Sequence, residues 1–199
     1  MARPVDLERR REIALQALEV LRTQGLQQAT MSGLAKALGL KRPTLYFYFP
    51  SIPDLFLALV EIHREEEVAW VAERLAGKTH PIDAMLAFLR AEHDFVRERG
   101  LDDFMLLMAS FWATGSPDDR ARFRKRVLRD LLPARQLFTA LLMQGVAEGR
   151  IRPIDAEGLV DVVFCLQDGI LVQGGLRDLD ADRVFSTFES LLLPLRIDA

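Results

Sequence analysis

The hexapeptide Thr44–Phe49, TLYFYF, decides the fold class, because it is the stretch that reads equally as a strand or as a helix. Extended, it would put Leu45, Phe47 and Phe49 on one face and Thr44, Tyr46 and Tyr48 on the other, a half-buried alternation of strand-favouring residues. Helical, it would stack Leu45 on Phe49 at i, i+4 and set Arg42 beside Tyr46 and Thr44 beside Tyr48 on its flanks. Pro43 is at home in the first turn of a helix, where its missing N–H is not needed, but would interrupt a central strand. No other segment has the pattern of a partner strand, and a lone strand leaves its backbone groups unpaired. The helix is the expectation, and with it an all-α fold.

Upstream, Ile13, Ala14, Ala17, Leu18 and Leu21 form one apolar stripe, entered by Asp6 as N-cap and closed by Gly25. Thr30 caps a short second helix whose Leu34, Ala35 and Leu38 face inward, with Gly39 as its stop and Leu40 plugging the corner. Pro50 and Pro53 end the aromatic stretch and start the next helix, with Ser51 as its cap. Beyond it, periodicity predicts amphipathic helices over 53–76, 82–99, 102–114, 117–148, 155–176 and 180–196, with Pro133 kinking or dividing the fourth. The joints GKTHP, Gly100, GSP, GRIRP and RDLD are breaker chemistry.

The 199 residues suffice for a full core, and no stretch approaches the roughly 18–20 apolar residues of a membrane span. With no charged start leading into an apolar run of signal length, the expected compartment is the cytoplasm. Cys165 is the only cysteine, which excludes an intrachain disulfide and a thiolate-cluster metal site. The net charge of −3 is unevenly spread: residues 1–50 carry eight Lys/Arg against four Asp/Glu, the remainder 18 against 25. A basic head on an acidic body suits one end that approaches phosphate.

A capped short helix, a glycine-containing turn and a second short helix make a helix-turn-helix, whose second helix enters the major groove of DNA. Leu45 and Phe49 would be buried against Leu34, Leu38 and the first helix, holding the tyrosines at the rim with their hydroxyls free to donate to phosphate oxygens. The segment TMSGLAKALGLKRPTLYFYFPSIPDL resembles the DNA-binding segment of the TetR family of transcriptional repressors. The match runs through Thr30, Leu34, Ala35, Gly39, Leu40, Thr44, Leu45, Tyr46, Phe49, Ser51 and Leu55. The resemblance covers about 45 residues; the all-helical remainder is similar to the family only in size and layout.

The resemblance implies that Arg42, Pro43 and Thr44 face the bases while Tyr46, Tyr48 and Thr30 or Ser32 contact phosphates. Arg42 could take guanine O6 and N7 together, and Pro43 could pack on a thymine methyl. Lys41 stands where the family commonly has a capping Ser or Thr, which leaves the recognition helix uncapped and adds a cation. Tyr48 replaces the usual His, and Ile52 a commonly phosphate-binding Lys, whose contact Lys36, Lys41 or the arm would supply instead. The arm holds Arg3 and the run Arg9, Arg10, Arg11, which reads equally as a solvated first turn or as a backbone contact.

The remainder offers no catalytic set, metal-ligand spacing or phosphate-cradling loop, so neither enzyme activity, metal nor cofactor is expected. His63 with Glu66 and Glu67 reads as a solvent-facing acidic row, and Cys165 in an apolar helix as a buried, inert thiol. Phe88, His93, Met105, Met108, Phe111, Trp112, Phe138, Phe164 and Gln167 supply apolar surface with polar tips. They read mostly as core; the resemblance implies that some of them line a cavity for an apolar or aromatic effector. The last two helices are apolar beyond what covering a core needs, which predicts a two-fold homodimer through a four-helix bundle. The expected organisation is a helix-turn-helix DNA-binding domain over residues 1–52 and a helical effector-binding and dimerisation domain over 53–199. Its partners are a palindromic double-stranded operator and a small molecule that releases it. The alternative is a small-molecule-binding or scaffold protein of the same fold without DNA binding.

Overall fold

The computed structural model describes residues 5–26, 28–176 and 179–197, all of whose regular elements are helical. They are α1 (Leu7–Gln24), α2 (Met31–Ala37), α3 (Arg42–Tyr48), α4 (Ile52–Leu75), α5 (Pro81–Glu98), α6 (Asp102–Thr114), α7 (Pro117–Ala147), α8 (Ala156–Leu176) and α9 (Ala181–Leu192). The described chain closes on a 3-10 turn at Leu193–Leu195 and a single antiparallel bridge between Ile151 and Arg196. The stretch that could have been a strand is helical, and each of the six later helices falls within four residues of the span its periodicity predicts. No single helix among the described residues is long and apolar enough to cross a membrane.

Local chemistry explains the boundaries. Asp6 caps α1 by accepting the Arg9 N–H at 3.0 Å, and Gly25 ends it at φ +74° while donating to the Leu21 carbonyl. The stop of α2 is a Schellman motif: Leu40 N–H reaches back to the Ala35 carbonyl and Gly39 N–H to Lys36, with Gly39 at φ +64°. His80 caps α5 through Nδ1, which accepts the Ile82 N–H at 3.2 Å. That acceptor role leaves the imidazole proton on Nε2, which faces the Arg150 carbonyl at 3.3 Å.

The chain packs as two units, the first of Met1–Glu66 with Leu107–Arg124 and the second of Glu67–Leu106 with Lys125–Ala199. In the first, Phe56 of α4 stacks on Phe111 of α6 with centroids 4.8 Å apart, and Phe111 packs on Phe123 of α7 at 5.5 Å. Two serine caps lie in the same unit. Ser51 accepts the Asp54 N–H and donates its hydroxyl to the Asp54 carboxylate at 2.6 Å; Ser116 does the same for Asp119, also at 2.6 Å. Arg122 pairs with Asp54 and lies 3.5 Å from Asp119.

The second unit is built around a core in which α5 supplies Ile82, Met85, Phe88 and Leu89, α7 Phe138 and Leu142, α8 Val160, Val163 and Phe164, and α9 Phe185, Phe188 and Leu192. Phe88 is its hub, 4.8 Å from Phe138 and 5.5 Å from Phe164, and such tilted pairs add about 0.5–1.5 kcal/mol each beyond their buried area. Two points of the expectation are corrected in this region. Of the two outcomes expected at Pro133, a kink or a break, the break does not occur, and α7 runs through it: the residue is exposed, so the carbonyl that it leaves without an N–H one turn back is free to bond water. Cys165 is exposed, not buried, because Val163, Phe164 and Gln167 turn inward and helical geometry puts Cys165 on the opposite face with Val162.

Partial burial of Asp54 works against its charge, but the Ser51 hydroxyl, Arg122 and Arg10 outweigh it and hold the carboxyl below its ordinary value. A group whose folded pKa is depressed contributes stability that is fully present above its unfolded pKa and is lost as pH falls through the folded one. The difference in melting temperature between wild type and Asp54→Asn is therefore expected to be widest near neutrality and to close below about pH 4, measured by thermal melts across pH.

Candidate nucleic-acid interface

The face that carries the candidate DNA contacts is defined by what is buried behind it. Leu45 and Phe49 are fully buried; one helical turn apart, they turn the other side of α3 outward. On that side Arg42, Pro43 and Thr44 are exposed, and Tyr46 is 48% and Phe47 47% exposed. Tyr48 is half-buried, with its ring edge-on to Phe47 at 5.2 Å. Rows Arg42–Tyr46 and Pro43–Phe47 thus lie side by side, one polar-tipped and one apolar. Phe47 is not among the contacts that the resemblance implies, although its place half a turn from Leu45 and Phe49 puts it on the outer face.

The neighbouring elements add polar groups. Thr30 is exposed, and its hydroxyl accepts the Gly33 N–H at 3.0 Å. Ser32 is half-buried in the first turn of α2, and Lys36 is exposed in its last. Lys41 occupies the N-cap of α3 with extended backbone and no side-chain cap bond, as its chemistry dictates. Lys36, Lys41 and Arg42 have no ion-pair partner among the described residues.

The arginine run behaves differently. Arg9 pairs with Glu12 at 2.7 Å, Arg11 with Glu66 and, at 3.7 Å, Glu65, and Arg10 lies over the Phe49 ring at 4.8 Å. Arg10 thus joins α1 to the end of α3 by a cation–π contact. The acids at 65 and 66 are not simply solvated, since Arg11 engages both. Arg3 lies outside the described residues.

The candidate effector side chains do not form one cluster. Phe88, Phe138 and Phe164 are in mutual contact through Phe88. Gln167 is buried and donates Nε2 to the buried Glu92, while its Oε1 has no hydrogen-bond partner among the described residues. His93 sits edge-on to Phe185 at 5.3 Å. Met105 belongs with these in the second unit, whereas Met108, Phe111 and Trp112 belong to the first; Met105 and Met108 are half-buried, Phe111 is buried and Trp112 exposed. The inward stripe of α8 faces the core of the second unit, and what α8 and α9 leave exposed includes Val162, Cys165 and Leu191. A groove of about 470 Å³ runs past Leu166, Val184, Phe188 and Leu191.

Comparison with known proteins agrees with this geometry. A model of the family described as bacterial regulatory proteins, tetR family, matches residues 13–59. The transcriptional activator FasR of Mycolicibacterium smegmatis is 29% identical over 107 residues, covering 54% of this chain and 48% of FasR, so the match spans about half of that relative. The nucleoid occlusion factor SlmA of Mannheimia succiniciproducens is 27% identical over 164 residues, covering 79% of this chain and 73% of SlmA. In fold, the chain superposes on the crystal structure of the TetR family regulator PfmR from Thermus thermophilus with a TM-score of 0.69 at 21% identity, covering 94% of this chain and 97% of that one.

A serine at position 41 would supply the cap that α3 lacks. Lys41→Ser is expected to raise stability by about 0.5–2 kcal/mol in denaturant melts.

Proposed function

The chain belongs to the tetR family of bacterial regulatory proteins, and on that premise we propose that it is a transcriptional regulator that inserts α3 into the major groove of an operator. The observation that carries the reading is the outer face of α2 and α3: three cations without an ion-pair partner among the described residues, Lys36, Lys41 and Arg42, around the exposed Pro43, Thr44, Tyr46 and Phe47. Arg42 reads a guanine through its forked guanidinium, Pro43 and Phe47 offer apolar contact to thymine methyls, and the tyrosine hydroxyls, Thr30 and Ser32 hold phosphates. The reading gives the chain a regulatory rather than a chemical task. Whether occupancy represses, as the sequence resemblance implies, or activates depends on where the operator lies relative to the promoter.

The same reading makes the protein a two-fold homodimer through α8 and α9. Support comes from the exposed apolar side chains on those helices, Val162 at 53% and Leu191 at 68%, and from the groove that Leu191 lines with Val184 and Phe188. A dimer sets two α3 helices into successive grooves, so the operator is an approximate palindrome with half-sites about 34–36 Å apart, or further. A small apolar effector held by the second unit, with Gln167 Oε1 accepting from its one polar donor, releases DNA by binding the released form more tightly. The helix that transmits the change is α4, which contributes residues to both units.

Selection of duplexes from a random pool tests the DNA reading, and binding must weaken steeply with salt. Arg42→Ala is expected to cost about 1–3 kcal/mol at one operator position and to relax preference there; equal loss on every sequence would contradict its assignment to a base. For the interface, sedimentation at micromolar concentration is expected to show a dimer that Leu191→Glu dissociates, and a monomeric wild type contradicts it.

A further inference from the structure

Arg122 lies on α7, 74 residues beyond Tyr48 in the sequence, yet it packs in the same unit as α3. Its guanidinium engages two carboxylates at once: Asp54, the third residue of α4, and Asp119, the third residue of α7. Each carboxylate is already held by the serine that caps its own helix, Ser51 and Ser116. Two pre-ordered acceptors meeting one planar five-donor cation lose less side-chain entropy than an ordinary surface pair. Below the clamp, the Phe56–Phe111–Phe123 stack joins α4, α6 and α7 through apolar contact.

The clamp acts close to α3. Only Phe49, Pro50 and Ser51 separate α3 from α4, and the two helices are bent by 54° with respect to each other. Phe49 and Leu55, on either side of that bend, are both fully buried. A direction imposed on the first turn of α4 is therefore imposed on α3.

We propose that Arg122 is a positioning residue for DNA binding, which ties the first turn of α4 to the first turn of α7 and thereby sets the angle at which α3 is presented to the groove. This rests on the DNA-binding reading and goes beyond it, by giving the α6–α7 turn a share in DNA affinity without touching DNA.

The test compares Arg122→Ala, Arg122→Lys, Asp54→Asn and the Arg122→Ala/Asp54→Asn double variant with wild type, on a duplex that the wild type has selected from a random pool. Arg122→Ala and Asp54→Asn are each expected to weaken binding roughly three- to tenfold, the double variant no more than either, and Arg122→Lys less. The salt slope stays that of wild type, because no phosphate contact is removed. Asp54→Asn is decisive: it deletes a negative charge, so a through-space effect on DNA would tighten binding, whereas loss of the clamp weakens it. Hydrogen exchange in the free protein reads the clamp directly, at the Leu55 and Arg120 amides that donate to the Ser51 and Ser116 carbonyls. Both are expected to exchange faster in Arg122→Ala, with the melting temperature of each variant recorded alongside. If Arg122→Ala does not fold, Asp54→Asn carries the comparison. Tighter binding by Asp54→Asn, wild-type affinity in Arg122→Ala, additive losses in the double variant or unchanged exchange each overturn the proposal. A wild type that selects no duplex overturns the DNA-binding reading itself.

Discussion

Burial of Leu45 and Phe49 is the interaction on which the rest of the structure depends. Two apolar side chains one turn apart, each gaining about 1.5–3 kcal/mol on leaving water, fix the rotation of a helix only seven residues long. Such a helix is too short to stand on its own propensity, and its N-cap is a lysine that makes no cap bond. It persists because its inner face is anchored and because α2 delivers it through a Schellman stop at Gly39. Once the rotation is fixed, the outer face follows without further choice: Arg42, Pro43, Tyr46 and Phe47 have nowhere to go but outward.

The charges of the first unit divide into two populations with different consequences. Arg9, Arg11 and Arg122 are engaged by Glu12, Glu65, Glu66, Asp54 and Asp119, and Arg10 rests on Phe49. Lys36, Lys41 and Arg42 remain without ion-pair partners among the described residues. A count over the first 50 residues gives an excess of cations; among the described residues of that stretch, those with neither an ion pair nor a ring contact are Lys36, Lys41 and Arg42. The arginine run that looks most basic in the sequence makes internal contacts, whereas Lys36, Lys41 and Arg42 make none of that kind among the described residues.

Much of this was legible in one dimension because the underlying rules are local. Helical periodicity, Pro43 in a first turn, Asp6 and Thr30 as caps and the left-handed glycines at 25 and 39 all act over four or five residues. The readings that failed needed to know which side of a helix meets the core. Cys165 sits in an apolar run, yet Val163, Phe164 and Gln167 take the inward positions and leave it outside. Pro133 reads as a kink or a break, and the break is avoided because the face that loses its donor is solvated. Phe88, Phe138 and Phe164 read as apolar surface in the sequence, but that Phe88 meets both of the others, while Phe111 stacks on Phe56 instead, is a property of packing.

The all-α class, the place of each helix to within a few residues and the side chains of α3 that turn outward can be read from the chain alone, since each is set by spacing and backbone chemistry within a few turns. It takes the packed chain to show that the segment Leu107–Arg124 lies with the N-terminal helices, that Arg122 closes on Asp54 across 68 residues of chain, and that Gln167 carries an acceptor with no hydrogen-bond partner among the described residues. Those facts join residues remote in sequence, and no periodicity encodes them, because nothing local distinguishes a carboxylate that will meet a guanidinium from one that will meet water.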